Sequence, residues 1–125
     1  QPKITPVHTE STSVLSINSN GYTSTGTTVQ ATIPASGSAL VTVTASLSPG
    51  TNNALACVSA SGGGMASSDQ HAFCSDIAGQ TIRGSATFLM TGLSTGTQTF
   101  TVQAHTTGGH SVIITNPGIV VVPMP

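Results

Sequence analysis

Residues 39–48, ALVTVTASLS, carry the pattern that decides the fold class. Apolar side chains occupy every second position of this stretch, and hydroxyl-bearing side chains fill most of the positions between them. Because successive side chains of a β-strand point to opposite faces of a sheet, the pattern predicts a strand with one buried and one wet face. Residues 27–33 and 97–105 repeat the alternation and are predicted to be half-buried strands as well.

Further strands are predicted on both sides of this stretch, where apolar and β-branched residues lie between Gly, Pro and Asn. Antiparallel sheets with one wet face must stack to bury the other. We therefore predict an all-β fold, an antiparallel two-sheet jelly-roll sandwich of about eight strands, as a single domain over residues 13–125. The further strands are expected at residues 13–19, 54–60, 82–90, 111–115 and 119–124.

The first twelve residues lack a clear inward face. Pro2 and Pro6 suit an extended conformation, so residues 1–12 are predicted to be an N-terminal arm that reaches a neighbour, with a frayed terminus as the alternative. The sequence begins at Gln1, which indicates removal of a signal peptide or the boundary of a fragment.

Charge is scarce along the whole chain. Only 4% of the 125 residues are charged and the formal net charge is -1, against about 25% charged residues in soluble domains. Without a basic stripe, nucleic-acid binding is disfavoured. No apolar run approaches the roughly 20 residues of a spanning helix, so no membrane span is expected.

The chain has two cysteines, Cys57 and Cys74. In an exported protein this pair predicts one disulfide across a Gly- and Ser-rich loop, whereas in a cytosolic protein two buried thiols are the alternative. We favour the disulfide and an extracellular or cell-surface location.

Two segments near the end, 112–114 and 119–122, are apolar at adjacent positions, which is typical of strands covered on both faces. In a small domain the second cover is commonly another subunit, so we predict a homo-oligomer, with a central strand as the alternative. The predicted oligomer interface consists of Val112, Ile114, Ile119, Val121 and Val122.

Candidates for catalysis are weak. Ser68, Asp69 and His71 are the residue types of a nucleophilic triad, but close neighbours in one loop rarely reach its geometry. Cys74 beside His71 has a competing partner in Cys57. We predict that the protein is not an enzyme and has no catalytic residue.

Metal and cofactor signals are also weak. The four histidines, His8, His71, His105 and His110, lack the spacing of a zinc site. Two aspartates without an Asp-x-Asp-Gly spacing are little evidence for calcium. No metal site and no cofactor are predicted.

The residues around the cysteine loop indicate a candidate ligand face. Tyr22 follows the turn Asn20-Gly21, while Asp69, His71 and Phe73 lie in the long loop between the cysteines. Sugar-binding sites typically combine an aromatic platform with amide and carboxylate hydrogen bonds, although each aromatic residue has core packing as its alternative.

The C-terminal third resembles a known family. Residues 92–125, GLSTGTQTFTVQAHTTGGHSVIITNPGIVVVPMP, preceded by the strand SATFLMT at 85–91, are similar to the closing strands of bacterial and phage jelly rolls of the tumour necrosis factor and complement globular-head type. Residues 28–48, TVQATIPASGSALVTVTASLS, resemble an upstream strand, turn and strand of that family. The resemblance implies a compact homotrimer with its final strands near the threefold axis.

From these patterns we predict a secreted, non-catalytic structural protein. It builds or decorates an extracellular assembly, such as a surface fibre, an adhesion appendage or a phage particle, through self-association. Nearly uncharged, hydroxyl-rich faces avoid repulsion between densely packed copies. The alternative is a carbohydrate- or receptor-binding, lectin-like module of the same fold, whose partner is a surface glycan or a neighbouring structural protein.

Overall fold

The computed structural model describes residues 5–50, 55–76, 79–107 and 110–125. Within these residues the chain forms strands and one short 3-10 helix, which confirms the predicted all-β class. In chain order they are β1 (Val7–Glu10), β2 (Val14–Ile17), β3 (Thr23–Ile33), β4 (Ser38–Pro49), β5 (Ala56–Ser61), the 3-10 helix Asp69–His71, β6 (Ala72–Ser75), β7 (Ile82–Met90), β8 (Gly96–Thr106) and β9 (Val112–Met124).

The strands form two antiparallel sheets. Sheet A has the order β1-β9-β4-β7, and β2 pairs with the first half of β9. Sheet B has the order β3-β8-β5-β6. The predicted two-sheet sandwich is therefore present.

The core lies between the sheets and follows the alternation seen in the sequence. On β4 the odd-numbered residues from Ala39 to Leu47 are fully buried, while their even-numbered neighbours face outward. Phe100 on β8 fills the centre from sheet B, and its ring lies so close to Gly62 that there is no room for a Cβ at that position. The largest fully buried side chains are Phe100, Ile33, Leu47, Met90, Ile114, Ile119, Val41, Val43, Val58, Val102, Val112 and Val121.

Residues 111–115 and 119–124 are not two strands, as predicted, but parts of the single strand β9. Thr115 pairs with Ser46 and Gly118 pairs with Thr44, so β9 holds one more residue than β4 between these pairs. Asn116 takes the left-handed φ of 53° at this bulge. The Asn-Pro-Gly sequence therefore bends a continuous strand instead of ending it.

Two short strands lie where the sequence predicted none. Residues 7–10 of the predicted arm form β1 and pair with β9 of their own chain, from Val7 opposite Val121 to Glu10 opposite Gly118. The arm prediction is therefore wrong for these residues, and residues 1–4 lie outside the described part of the chain. Gly108 and Gly109, a pair that favours a turn between β8 and β9, lie outside it as well. In the cysteine loop, β6 pairs with β5 at the edge of sheet B.

Candidate functional site

The outer face of sheet A carries large hydrophobic side chains among its hydroxyl-bearing ones. Within residues 5–50, 55–76, 79–107 and 110–125, six large hydrophobic side chains are exposed, and the strand register places all six on this face. Residues directly opposite each other in a sheet share a face, so Leu89, Leu40 and Val122 form one row across β7, β4 and β9. The six exposed residues are Val14, Leu40, Leu89, Ile113, Val120 and Met124.

The predicted oligomer interface needs correction because β9 alternates. Val112, Ile114, Ile119 and Val121 point into the sandwich and are at most 1% exposed, so they are core residues of their own chain. Val122 is partly exposed on the outer face of sheet A. The other outward side chains of the strand include Ile113, Val120 and Met124, which the prediction left out.

The predicted disulfide between Cys57 and Cys74 is present. The two residues are directly opposite each other on β5 and β6, with a Cα–Cα distance of 4.1 Å. They lie on the outer face of sheet B, where His105 on β8 is the next residue in the same row. Cys57 is buried, whereas Cys74 on the edge strand is exposed.

The segment before β6 is held over the outer face of sheet B. The hydroxyl of Ser59 on β5 donates to the carbonyl oxygen of His71 over 2.5 Å, and it accepts from the backbone N–H of Ser68 over 3.4 Å. The hydroxyl of Ser67 donates to Oε1 of Gln103 on β8. These bonds position Asp69 beside the disulfide.

Tyr22, Asp69 and His105 form a cluster on this face. The Tyr22 hydroxyl donates to Asp69 Oδ1 over 2.7 Å, and His105 Nε2 lies at the same distance from the same oxygen. Because a carboxylate can only accept, Nε2 carries the hydrogen. The Tyr22 and His105 rings meet edge to face at 4.4 Å. The His105 side chain is 9% exposed and that of Asp69 is 54% exposed.

The cluster shifts two pKa values in opposite directions. Burial first, and then the hydrogen bond and charge of Asp69, raise the pKa of Tyr22 well above its ordinary value of 10.0. The hydrogen bond from Tyr22, followed by that from His105, lowers the pKa of Asp69 below its ordinary value of 3.8, although partial burial opposes the shift. The neutral phenol and the ionised carboxylate stabilise each other.

The structure divides the predicted ligand face between two places. Tyr22 and Asp69 are in contact, but the His71 ring stacks on Phe88 of β7 at 5.1 Å. Phe73 lies on the inward side of β6 against Gly84 of β7, where an added Cβ would be 2.7 Å from its ring. His71 and Phe73 therefore pack against β7, at the side of the sandwich where the edge strands β6 and β7 lie next to each other.

Sequence reasoning missed His105 as a partner of this site. Asp69 bonds to Tyr22 and His105, while His71 contacts Phe88, so Ser68, Asp69 and His71 are not arranged as a relay. In the sequence, only the alternation of side chains along β8 indicates that His105 points outward. That alternation does not reveal which residues lie opposite His105.

Among the residues that the structure describes, one group of side chains could hold a metal ion. One ligand atom from each of Cys57, Asp69 and His105 lies within 4.8 Å of the others. The sulfur of Cys57 is bonded to Cys74, so the oxidised chain offers no thiolate to this group.

Neither the family models nor the curated proteins compared with this sequence gave a match. In the described residues, no helix has the length and apolar character needed to cross a membrane.

Proposed function

We propose that this chain is a non-catalytic structural protein that self-associates and builds or decorates an extracellular assembly, such as a surface fibre, an appendage or a phage particle. The observation that carries the proposal is the concentration of exposed large hydrophobic side chains on the outer face of sheet A. A second copy of this chain is the occupant that we propose for this face.

The apolar side chains are contiguous where β7, β4 and β9 lie side by side. Leu89 is 52% exposed and Leu40 38% exposed, and both lie in one row with Val122. Val120 is two residues from Val122 on the same face and is 39% exposed. Burying apolar surface stabilises an association by about 25 cal/mol per Å². The loss of translational, rotational and side-chain freedom on association offsets part of this gain.

The outer face of sheet B provides a contrast within the same molecule. Its exposed positions on β3 and β8 carry threonine and glutamine, as in the opposed pairs Gln30–Thr99 and Thr32–Thr97. Exposed apolar patches mark interaction surfaces more often than scattered single residues do. The asymmetry therefore favours association through sheet A.

Charge does not oppose contact between copies. The charged side chains at described positions of this face are Glu10 and Arg83, one of each sign, and they lie away from the Leu40 row. Arg83 already donates to the carbonyl oxygen of Asn116 over 3.1 Å. We therefore expect an association that depends only weakly on salt.

The order of strand pairing supports a jelly-roll topology within the sandwich. The pairs β2–β9, β3–β8, β4–β7 and β5–β6 are nested and antiparallel. A long hairpin of eight strands, rolled so that its members alternate between two sheets, has this nesting. The strand order thus supports the resemblance to the tumour necrosis factor and complement globular-head type.

A homotrimer is the assembly that this resemblance implies, with the final strands near the threefold axis. The outward side chains of β9, Val120 and Val122, support that placement because they lie with the other exposed hydrophobic residues on the outer face of sheet A. The disulfide supports an oxidising, extracellular location. The lectin-like alternative has less support, since the Tyr22 hydroxyl is bonded to Asp69 and Phe73 packs on Gly84.

The test compares two single substitutions that add the same charge to opposite faces. Leu40→Glu alters the proposed interface, and Thr32→Glu alters an exposed position on sheet B as the matched control. We expect light scattering to show a lower native mass for Leu40→Glu only. Equal native masses for both variants and the wild type, with folding verified by circular dichroism, would overturn the proposed face.

A further inference from the structure

Cys57 of the disulfide belongs to a group of three side chains of metal-ligating types. Cys57, Asp69 and His105 come from β5, the 3-10 helix and β8, and one ligand atom from each lies within 4.8 Å of the others. Thiolate, imidazole and carboxylate are the ligand types that bind Zn²⁺ in proteins. We propose that reduction of the Cys57–Cys74 disulfide opens a binding site for a thiophilic divalent cation such as Zn²⁺.

The geometry needs only small movements to accept the ion. Bond lengths of about 2.0–2.3 Å around tetrahedral zinc place ligand atoms roughly 3.3–3.8 Å apart. Asp69 Oδ1 and His105 Nε2 are 2.7 Å apart, with a hydrogen between them. A metal ion takes the place of that hydrogen when the two atoms move apart.

The remaining ring nitrogen of His105 has a suitable neighbour. Nδ1 is 3.4 Å from the carbonyl oxygen of Thr106. Metal-binding histidines usually donate their second N–H to a carboxylate or a backbone carbonyl, which fixes the ring. Asp69 is exposed, so the ion reaches the site from solvent although Cys57 and His105 are buried.

A small reductant can reach the disulfide because Cys74 is exposed on the edge strand β6. The thiolate of a small dithiol attacks the Cys74 sulfur, and Cys57 leaves as the thiolate. The second thiol of the reagent then displaces Cys74. The reagent is oxidised to a disulfide, and its two electrons leave Cys57 and Cys74 reduced. Metal binding releases the proton of the Cys57 thiol to solvent. The hydrogen on His105 Nε2 is lost and Nδ1 gains one, so the ring stays neutral and Nδ1–H faces the carbonyl oxygen of Thr106.

The proposed protein ligands are the Cys57 thiolate, an Asp69 carboxylate oxygen and a His105 ring nitrogen. The fourth tetrahedral position is taken by water or by the Cys74 thiolate. In the oxidised chain the sulfur of Cys57 is covalently bonded, so the oxidised protein has no thiolate ligand.

The experiment uses Co²⁺ as a spectroscopic probe of the full chain. Cys74→Ser leaves Cys57 as a free thiol, and Cys57→Ser is the matched control that leaves only the exposed Cys74 thiol. We expect Cys74→Ser to bind one Co²⁺ with thiolate-to-cobalt absorption, at least about tenfold more tightly than Cys57→Ser, since removing even an outer partner of a metal costs tenfold or more. Adding Asp69→Asn to Cys74→Ser should weaken binding by a similar factor.

Two further measurements separate a folded site from thiols in an unfolded chain. Dithiol-reduced wild type, freed of reductant, should bind Co²⁺ and unfold at a higher temperature with the metal than without it. Oxidised wild type should show no thiolate-to-cobalt absorption. Absence of Co²⁺ binding by both reduced wild type and Cys74→Ser would overturn the proposal, as would binding that Asp69→Asn leaves unchanged.

Discussion

Removal of the disulfide should cost about 3 kcal/mol of folding free energy. Cys57 and Cys74 are separated by 17 residues, and the loop-closure relation for a loop of this length gives about 3 kcal/mol at about 25 °C. The stabilisation acts on the unfolded chain, which loses conformational freedom when the loop is closed. The double variant Cys57→Ala with Cys74→Ala removes the crosslink and only one sulfur atom from each side chain.

Urea unfolding measures this cost. With a slope of about 1–3 kcal/mol per molar urea, the midpoint of the double variant should fall by about 1–3 M. Dithiol-reduced wild type in metal-free buffer is the control, because it lacks the crosslink and keeps both sulfur atoms. A midpoint within about 0.3 M of the oxidised wild type, for both samples, would contradict a stabilising role of the crosslink, because the free energy of unfolding would then differ by less than about 1 kcal/mol.

Three further outcomes are expected. Gly84→Ala should lower the unfolding temperature through a cost of about 1–3 kcal/mol, because its Cβ meets the Phe73 ring, whereas Gly21→Ala meets nothing within 4 Å and should leave it unchanged. Tyr22 is the single tyrosine and there is no tryptophan; its tyrosinate absorbance should appear well above pH 10.0 in the folded wild type, and at lower pH in Asp69→Asn. Because the pKa of Asp69 is lowered in the folded chain, its contribution to stability is present above pH 3.8 and is lost as the pH falls through the lowered value, so Asp69→Asn should flatten this part of a stability-against-pH curve.

The strands that could be predicted are those long enough to show a period of two. Residues 39–48 and 82–90 match β4 and β7 almost residue for residue. The four-residue strands β1 and β6 are too short to show such a pattern. Their hydrogen bonds to β9 and β5 make them strands, and the local sequence does not reveal these partners. The Asn-Pro-Gly sequence at 116–118 indicates a turn locally, but pairing with β4 on both sides keeps β9 continuous.

The candidate sites depend on register, which a single sequence does not display. On β9 every residue from Ile119 to Val122 is apolar, so composition alone could not tell inward from outward positions. The Tyr22–Asp69–His105 cluster joins residues 47 and 36 positions apart in the chain. Only the placement of β8 beside β5 brings His105 next to Cys57.

The native mass of the wild-type protein is the most direct test of self-association through the outer face of sheet A. It should be measured by light scattering without reductant and over a range of protein concentrations. We expect a discrete species near three times the chain mass of 12.4 kDa, or larger regular assemblies built from it. A folded monomer of 12.4 kDa at every concentration would contradict self-association through the outer face of sheet A.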